Sequence, residues 1–232
     1  QLVDERIVAL KPKTLDFAQA AALPLASITA WESLFDRLKI TQADKDKTLL
    51  LIGAAGGVGS MAMQFAKQVI GMKVVATASR AESKDWCLKM GADVVLDHQN
   101  LAEQFKQQSL SNPDYILCMG VPDDYFEQMV EIINPQGGIC LLANAREPYD
   151  LNLLKAKSIT LVWEMMFTRS MFQTDDLIKQ HKLLNRVSEL IDQQQIVSIA
   201  TQQLSPINID NITQAHQLIK QGDMIGKLVI GN

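Results

Sequence analysis

The chain has 232 residues, 47% of them hydrophobic and 21% charged, and a formal net charge of −4. That is enough apolar sequence to bury a large core in one domain, or in one domain plus part of another. The mild charge and the even spread of lysine and arginine argue against a nucleic-acid-binding face, and no apolar stretch reaches the ~20 residues of a membrane helix.

The opening residues, Gln1-Leu2-Val3-Asp4-Glu5-Arg6, are charged and lack the apolar core of a secretion signal. Ile7 to Leu10 read as a strand entering a turn at Pro12, as though the chain starts midway through a longer structure. Thr14 or Asp16 would cap a helix, and Pro24 interrupts the pattern. A second helix is predicted over Ile28 to Leu38, with Trp31, Leu34, Phe35 and Leu38 on one face.

From Thr48 onward, strands and helices alternate. Leu49 to Ile52 form the first strand and Lys73 to Ala78 the second. A helix near 81–90 stops at Gly91, and Val94-Val95-Leu96 make the third strand. Helices around 100–109 and 123–133 flank the fourth strand, Tyr115 to Cys118; Asn134-Pro135 breaks the second of them. Gly137 to Leu142 and Ser158 to Trp163 complete the set. Short apolar strands separated by helices predict an α/β fold, a doubly wound six-stranded parallel sheet of Rossmann type with order 3-2-1-4-5-6. Beyond it lie a long helix near 174–194, a possible strand from Val197, a helix from Asp210 to Lys220 and a last strand at Lys227 to Ile230.

The glycine-rich segment Gly53-Ala54-Ala55-Gly56-Gly57-Val58-Gly59 falls between the first strand and its helix. Glycine lets the backbone approach a pyrophosphate, and a helix start presents unpaired N–H groups and a positive dipole end to it. Gly56, Gly57, Val58 and Gly59 are therefore candidate phosphate contacts; a plain helix-start turn is the other reading. An acid about 20 positions on would hold the ribose hydroxyls of NAD, whereas a cation there suits the 2′-phosphate of NADP. Ser79 and Arg80 occupy that position, with Lys84 one turn later, so NADP(H) is the expected cofactor; solvated surface cations are the alternative. Cys118, Met119 and Gly120 end the fourth strand where open α/β sheets bind ligands. Ala143, Asn144 and Trp163 follow the fifth and sixth strands and would line a nicotinamide pocket, unless that aromatic and Met-rich run is simply core.

Cys87, Cys118 and Cys140 are 31 and 22 positions apart, which indicates neither a disulfide framework nor a zinc cluster, and the expected compartment is the reducing cytoplasm. His98, His181 and His216 are equally scattered, so no metal is expected. Tyr115, Tyr125 and Tyr149 precede Met119, Met129 and Leu153 by four residues, which weighs against the Tyr-x-x-x-Lys chemistry of short-chain dehydrogenases. The cation after strand two disfavours a methyltransferase.

Four segments in order, Ala20 to Trp31, Gly53 to Gly59, Met90 to His98 and Ile225 to Ile230, resemble the coenzyme-binding half of the medium-chain dehydrogenase/reductase superfamily. Within it the likeness is to the quinone-oxidoreductase-like branch, and Trp163 to Ser170 resembles a bacterial zinc-type alcohol dehydrogenase-like subgroup. The resemblance implies a preceding GroES-like barrel that is largely missing. Residues 1–20 would then be its remnant, 21–197 the NADP-binding domain and 198–232 the return to the barrel. It also implies a role for Thr29 near the nicotinamide, for His98 at the adenosine and for Lys227 near the cleft, against helix packing, a surface histidine and a strand-edge lysine respectively. A homodimer through the sixth strand is expected. The implied reaction is hydride transfer from NADPH to a quinone, enone or reactive carbonyl without zinc, the fragment itself lacking groups for turnover. No residue stands out as a general acid; Glu164 and Asn144 are the nearest candidates, with protonation from solvent the equal alternative. The rival is a non-catalytic NADPH-binding sensor or structural oligomer.

Overall fold

The computed structural model describes residues 2–232. In place of the strand expected at Ile7 to Leu10, the chain opens on a 3-10 turn, Glu5–Ile7, followed by extended backbone. Asp16 caps helix α1 (Phe17–Ala21), accepting the Gln19 amide at 2.7 Å. The helix breaks at Ala22 and Leu23, as the sequence predicts, and Pro24 opens α2 (Pro24–Trp31), ahead of the expected start at Ile28. The first helical position suits proline because its missing N–H would have had no intrahelical partner. The winding then loosens to a π turn over Glu32–Arg37, closed by the Leu38 amide on the Ser33 carbonyl at 3.0 Å.

The alternating region builds β1 (Thr48–Ile52), α3 (Gly57–Phe65), β2 (Lys73–Thr77), α4 (Ala81–Lys89), β3 (Val94–Leu96), α5 (Leu101–Gln107), β4 (Tyr115–Cys118), α6 (Phe126–Ile132), β5 (Gly138–Leu141) and β6 (Thr160–Trp163). The six strands are all parallel, in the order β3-β2-β1-β4-β5-β6, as the sequence predicts. Every residue of β1 is buried, which is why a central strand covered on both faces reads as an unbroken apolar run. On one face Leu50, Ile52, Val75, Leu96, Ile116 and Ile139 form a core with Leu101 and Phe105 of α5 and Phe126, Met129 and Ile132 of α6. Burying a leucine or phenylalanine of this kind stabilises by about 1.5–3 kcal/mol relative to leaving it in water. In α3, Met61, Ala62 and Phe65 are wholly buried; Phe65 meets the edge of Trp31 at 5.2 Å between ring centroids.

The remaining elements are α7 (Thr168–Phe172), α8 (Ile178–Asp192), β7 (Ala200–Leu204), α9 (Ile209–Lys220) and β8 (Lys227–Ile230), with β7 and β8 pairing in parallel as a separate ribbon. Contacts divide the chain into two units: Trp31–Glu164, which holds the sheet, and Gln1–Ala30 together with Met165–Asn232. These cuts differ from the expected 20/21 and 197/198 because α8 is fastened to the N-terminal segment. Its His181 Nδ1 donates to the Val8 carbonyl at 2.6 Å, and Asn185 Oδ1 accepts the Leu10 amide at 3.2 Å. Asp192 accepts the amides of Lys13 and Thr14 at 3.1 and 3.0 Å.

Candidate functional site

Because all six strands run the same way, their carboxyl ends share one edge, and the order reverses between β1 and β4. Ligands of open α/β sheets bind in the crevice at such a switch point. At the end of β1, Gly53 takes a left-handed φ of +78°, and an added Cβ there would lie 3.5 Å from the Gly120 nitrogen. The turns after β1 and β4 therefore meet at the reversal.

The two outer glycines of the turn have different causes. A Cβ on Gly59 would come within 2.6 Å of the Ala54 carbonyl carbon and Cα, so only glycine lets α3 pack against the turn that precedes it. A Cβ on Gly56 would meet nothing within 4 Å. Gly56 is the N-cap of α3 and offers no side chain to the helix start. The first N–H groups of α3, at Gly57, Val58 and Gly59, have no partners within the helix, and the positive end of the helix dipole lies beside them. A helix start of this kind suits an anion.

Ser79 and Arg80 follow β2 and are exposed, Arg80 standing at the N-cap position of α4. Lys84 sits one turn along, half-buried. The Ser83 hydroxyl accepts the Arg80 amide at 3.2 Å and donates to the Arg80 carbonyl at 2.8 Å, fixing the backbone that carries the guanidinium. Trp86 Nε1 donates to Ser60 Oγ at 2.8 Å and ties α4 to α3.

Thr77 was not singled out by the sequence, although a hydroxyl closing an otherwise apolar strand was the available signal. It is fully buried, and its Oγ1 accepts the Gly53 amide at 3.0 Å and lies 2.9 Å from His98 Nδ1. Burial lowers the His98 pKa, the Lys84 charge lowers it further and Asp97 opposes both. A neutral imidazole accepting from Thr77 satisfies all three groups. His98 faces Tyr125 with ring centroids 6.4 Å apart.

Along the other half of the edge, Met119 and Gly120 are partly exposed beyond β4, and Ala143 and Asn144 lie beyond β5 with Asn144 exposed. Trp163 ends β6 at 53% exposure. Cys118 is different: its side chain is completely buried in the core and its thiol is pushed up to about 12 by burial, which leaves only its backbone to face a ligand. Thr29 and Lys227 belong to the other unit. Thr29 is buried in α2, donating to the Leu25 carbonyl at 2.8 Å, and Lys227 begins β8, its amide on the Ile199 carbonyl at 2.8 Å.

Glu164, a candidate proton donor, is buried after β6 and accepts from Arg37 Nε at 2.7 Å; Arg37 also lies 3.6 Å from Glu32. Burial and the neighbouring Glu32 push the Glu164 carboxyl up to about 8 against the pull of Arg37. It is a proton-holding group locked behind the sheet edge. Asn144 has no ionisable proton to give.

A parallel sheet with a glycine cradle at its reversal point defines a nucleotide-binding protein of the doubly wound α/β class. Its sequence places it further. The family model described as zinc-binding dehydrogenase matches residues 57–184, and the chain belongs to that family, among the oxidoreductases of the medium-chain dehydrogenase/reductase superfamily. It is 43% identical to the zinc-type alcohol dehydrogenase-like protein of Staphylococcus epidermidis, covering 99% of this chain and 69% of that protein. It is 44% identical, over 63% of this chain and 35% of the other, to a chloroplastic NADPH-dependent alkenal/one oxidoreductase of Arabidopsis thaliana. Among solved structures, one from Rhizobium etli named for a zinc-dependent alcohol dehydrogenase superposes with a TM-score of 0.93 at 44% identity, covering 100% of this chain and 68% of that one.

The zinc of the family's description does not fit the residues present. Among the described residues no group of three or more His, Cys, Asp or Glu stands together as ligands. Cys87, Cys118 and Cys140 are all buried, and none belongs to such a group. Nor is any helix among the described residues long and apolar enough to cross a membrane.

Proposed function

We propose that the chain is the coenzyme-binding part of an NADPH-dependent reductase acting on an enone, quinone or reactive carbonyl. The observation that carries this reading is the pairing of an open, uncapped helix start at Gly56 with Arg80 at the head of α4, where a ribose-binding carboxylate would otherwise stand. The name of the Arabidopsis relative, an NADPH-dependent oxidoreductase of alkenals and enones, supports the same cofactor and acceptor class.

When bound, the dinucleotide supplies the hydride, and the protein supplies position and charge. The amides of Gly57, Val58 and Gly59 hold the pyrophosphate, Arg80 forks onto the 2′-phosphate and Lys84 adds a mobile charge. His98 and Thr77 keep the first turn in place. Ala143, Asn144 and Trp163 border the nicotinamide end, where excluding water keeps the hydride from side reactions. With Glu164 enclosed against Arg37, the proton that completes reduction of the acceptor comes from solvent. A homodimer through the open edge of β6 and a reducing cytoplasmic setting for the three buried thiols complete the reading.

Titration of the protein with NADPH and NADH tests it. Wild type is expected to bind NADPH the more tightly, and Arg80→Ala to weaken NADPH by about 10- to 100-fold, the worth of a hydrogen-bonded charge contact, while barely moving NADH. Equal curves for the two cofactors in both proteins would end the proposal.

A further inference from the structure

Beyond β5 the chain leaves the sheet edge through Leu142 to Asp150 without regular structure, and Asn144 is carried on that loop. What fixes its course is a residue from elsewhere. Asp123 sits in the 3-10 turn Pro122–Asp124 that follows β4. Its Oδ1 and Oδ2 accept the Arg146 amide at 3.0 and 3.1 Å, and Oδ1 also accepts the Glu147 amide at 2.8 Å. The Tyr149 hydroxyl donates to Oδ2 at 3.4 Å. The Tyr149 ring then stacks flat on Phe126 of α6, 4.4 Å between centroids with 7° between planes. Burial alone would raise the Asp123 carboxyl, but the amides of Glu147 and Arg146 outweigh it and hold the group below its ordinary range.

We infer that Asp123 is a positioning residue for the nicotinamide half of the cofactor, clasping the loop after β5 to the turn after β4. The inference rests on the proposed NADPH site and assigns one residue a task within it. A doubly wound sheet has two mononucleotide halves, with β1 to β3 on one side of the reversal and β4 to β6 on the other. Arg80, Lys84 and His98 lie on the first side, whereas Asp123 and the loop it holds lie wholly on the second. Backbone N–H groups donating to one ionised carboxylate are strong, directional bonds, and here they set two consecutive residues of a loop that has no ladder of its own. Without them the loop samples other courses, and a ligand that needs one course binds more weakly in proportion to the fraction of time it is formed.

The test uses two ligands, NADPH and 2′,5′-ADP, the latter representing the adenosine half alone, together with trypsin as a probe of the loop at Arg146. Asp123→Ala is expected to weaken NADPH about 10-fold, the effect of a loop competent a tenth of the time, and to leave 2′,5′-ADP unchanged. Cleavage after Arg146 should become faster in the variant. Should Asp123→Ala fail to fold, Asp123→Asn keeps the shape and one acceptor oxygen, and an intermediate loss confined to NADPH would support the clasp. Unchanged NADPH affinity, or equal loss for both ligands, would overturn it while leaving the cofactor site standing. Wild-type protein that binds neither ligand would remove the site and the clasp together.

Discussion

Gly56 and Gly59 stand three positions apart in one turn and answer the same substitution differently. Alanine at Gly59 drives a Cβ into the Ala54 backbone, which cannot step aside without moving β1 or α3. A loss of about 1–3 kcal/mol is expected, visible as a lower midpoint in thermal or urea unfolding. Alanine at Gly56 meets open space, and φ −74° and ψ 179° suit any residue, so the fold should melt as wild type does. Nucleotide affinity should nevertheless fall, because the new methyl stands in the cradle. If the two variants unfold alike, the packing account of this turn is wrong. The sequence shows the glycines but not this division, since both fit the same motif. Which one serves packing and which one serves the ligand depends on where Ala54 lies.

At the scale of elements, strand positions were legible because central parallel strands are buried on both faces and leave an unmistakable apolar run, as in β1 and β2. The break at Pro24 is legible too, but that the second helix starts at the proline itself is not, because only the neighbouring backbone shows which side of a proline a helix takes. The N-terminal segment was misread for a related reason. Ile7 to Leu10 have a strand's composition, yet their partner is the helix α8, not another strand. Asp192 is the end of that fastening, held below its ordinary carboxyl range first by the Thr14 amide and then by that of Lys13. Asp192→Ala should leave the sheet intact and speed tryptic cleavage after Lys13; unchanged cleavage would show that the apolar contacts of α8 suffice.

For the whole molecule, the buried group of Glu32, Arg37 and Glu164 links stability to pH. A carboxyl raised from 4.5 to about 8 in the folded state keeps a proton that the unfolded chain releases. Its stabilising effect is complete below pH 4.5 and fades as pH climbs through 8, by at most about 1.4 kcal/mol per pH unit for one proton. Glu164→Gln removes this slope. The melting temperature of wild type relative to the variant should therefore drop between pH 5 and 9, and parallel curves would show that Glu164 does not hold the proton. The same end of the sheet bears on assembly. Among the described residues β6 pairs only with β5 and presents Thr160 and Trp163 exposed, so light scattering should give twice the chain mass if a second copy pairs there. A monomer would remove that proposal.

By itself the sequence determined the strand order, the glycine-rich turn after β1 and the sign of charge after β2, because burial periodicity, backbone freedom and charge are properties of residues taken in line. Only the tertiary structure decided that Thr77 braces Gly53, that Asp123 holds the loop after β5, that Cys118 turns into the core and that Glu164 is enclosed with Arg37. Each of these joins residues far apart in the chain through a hydrogen bond or burial, and no local pattern records which distant group will arrive beside a given side chain.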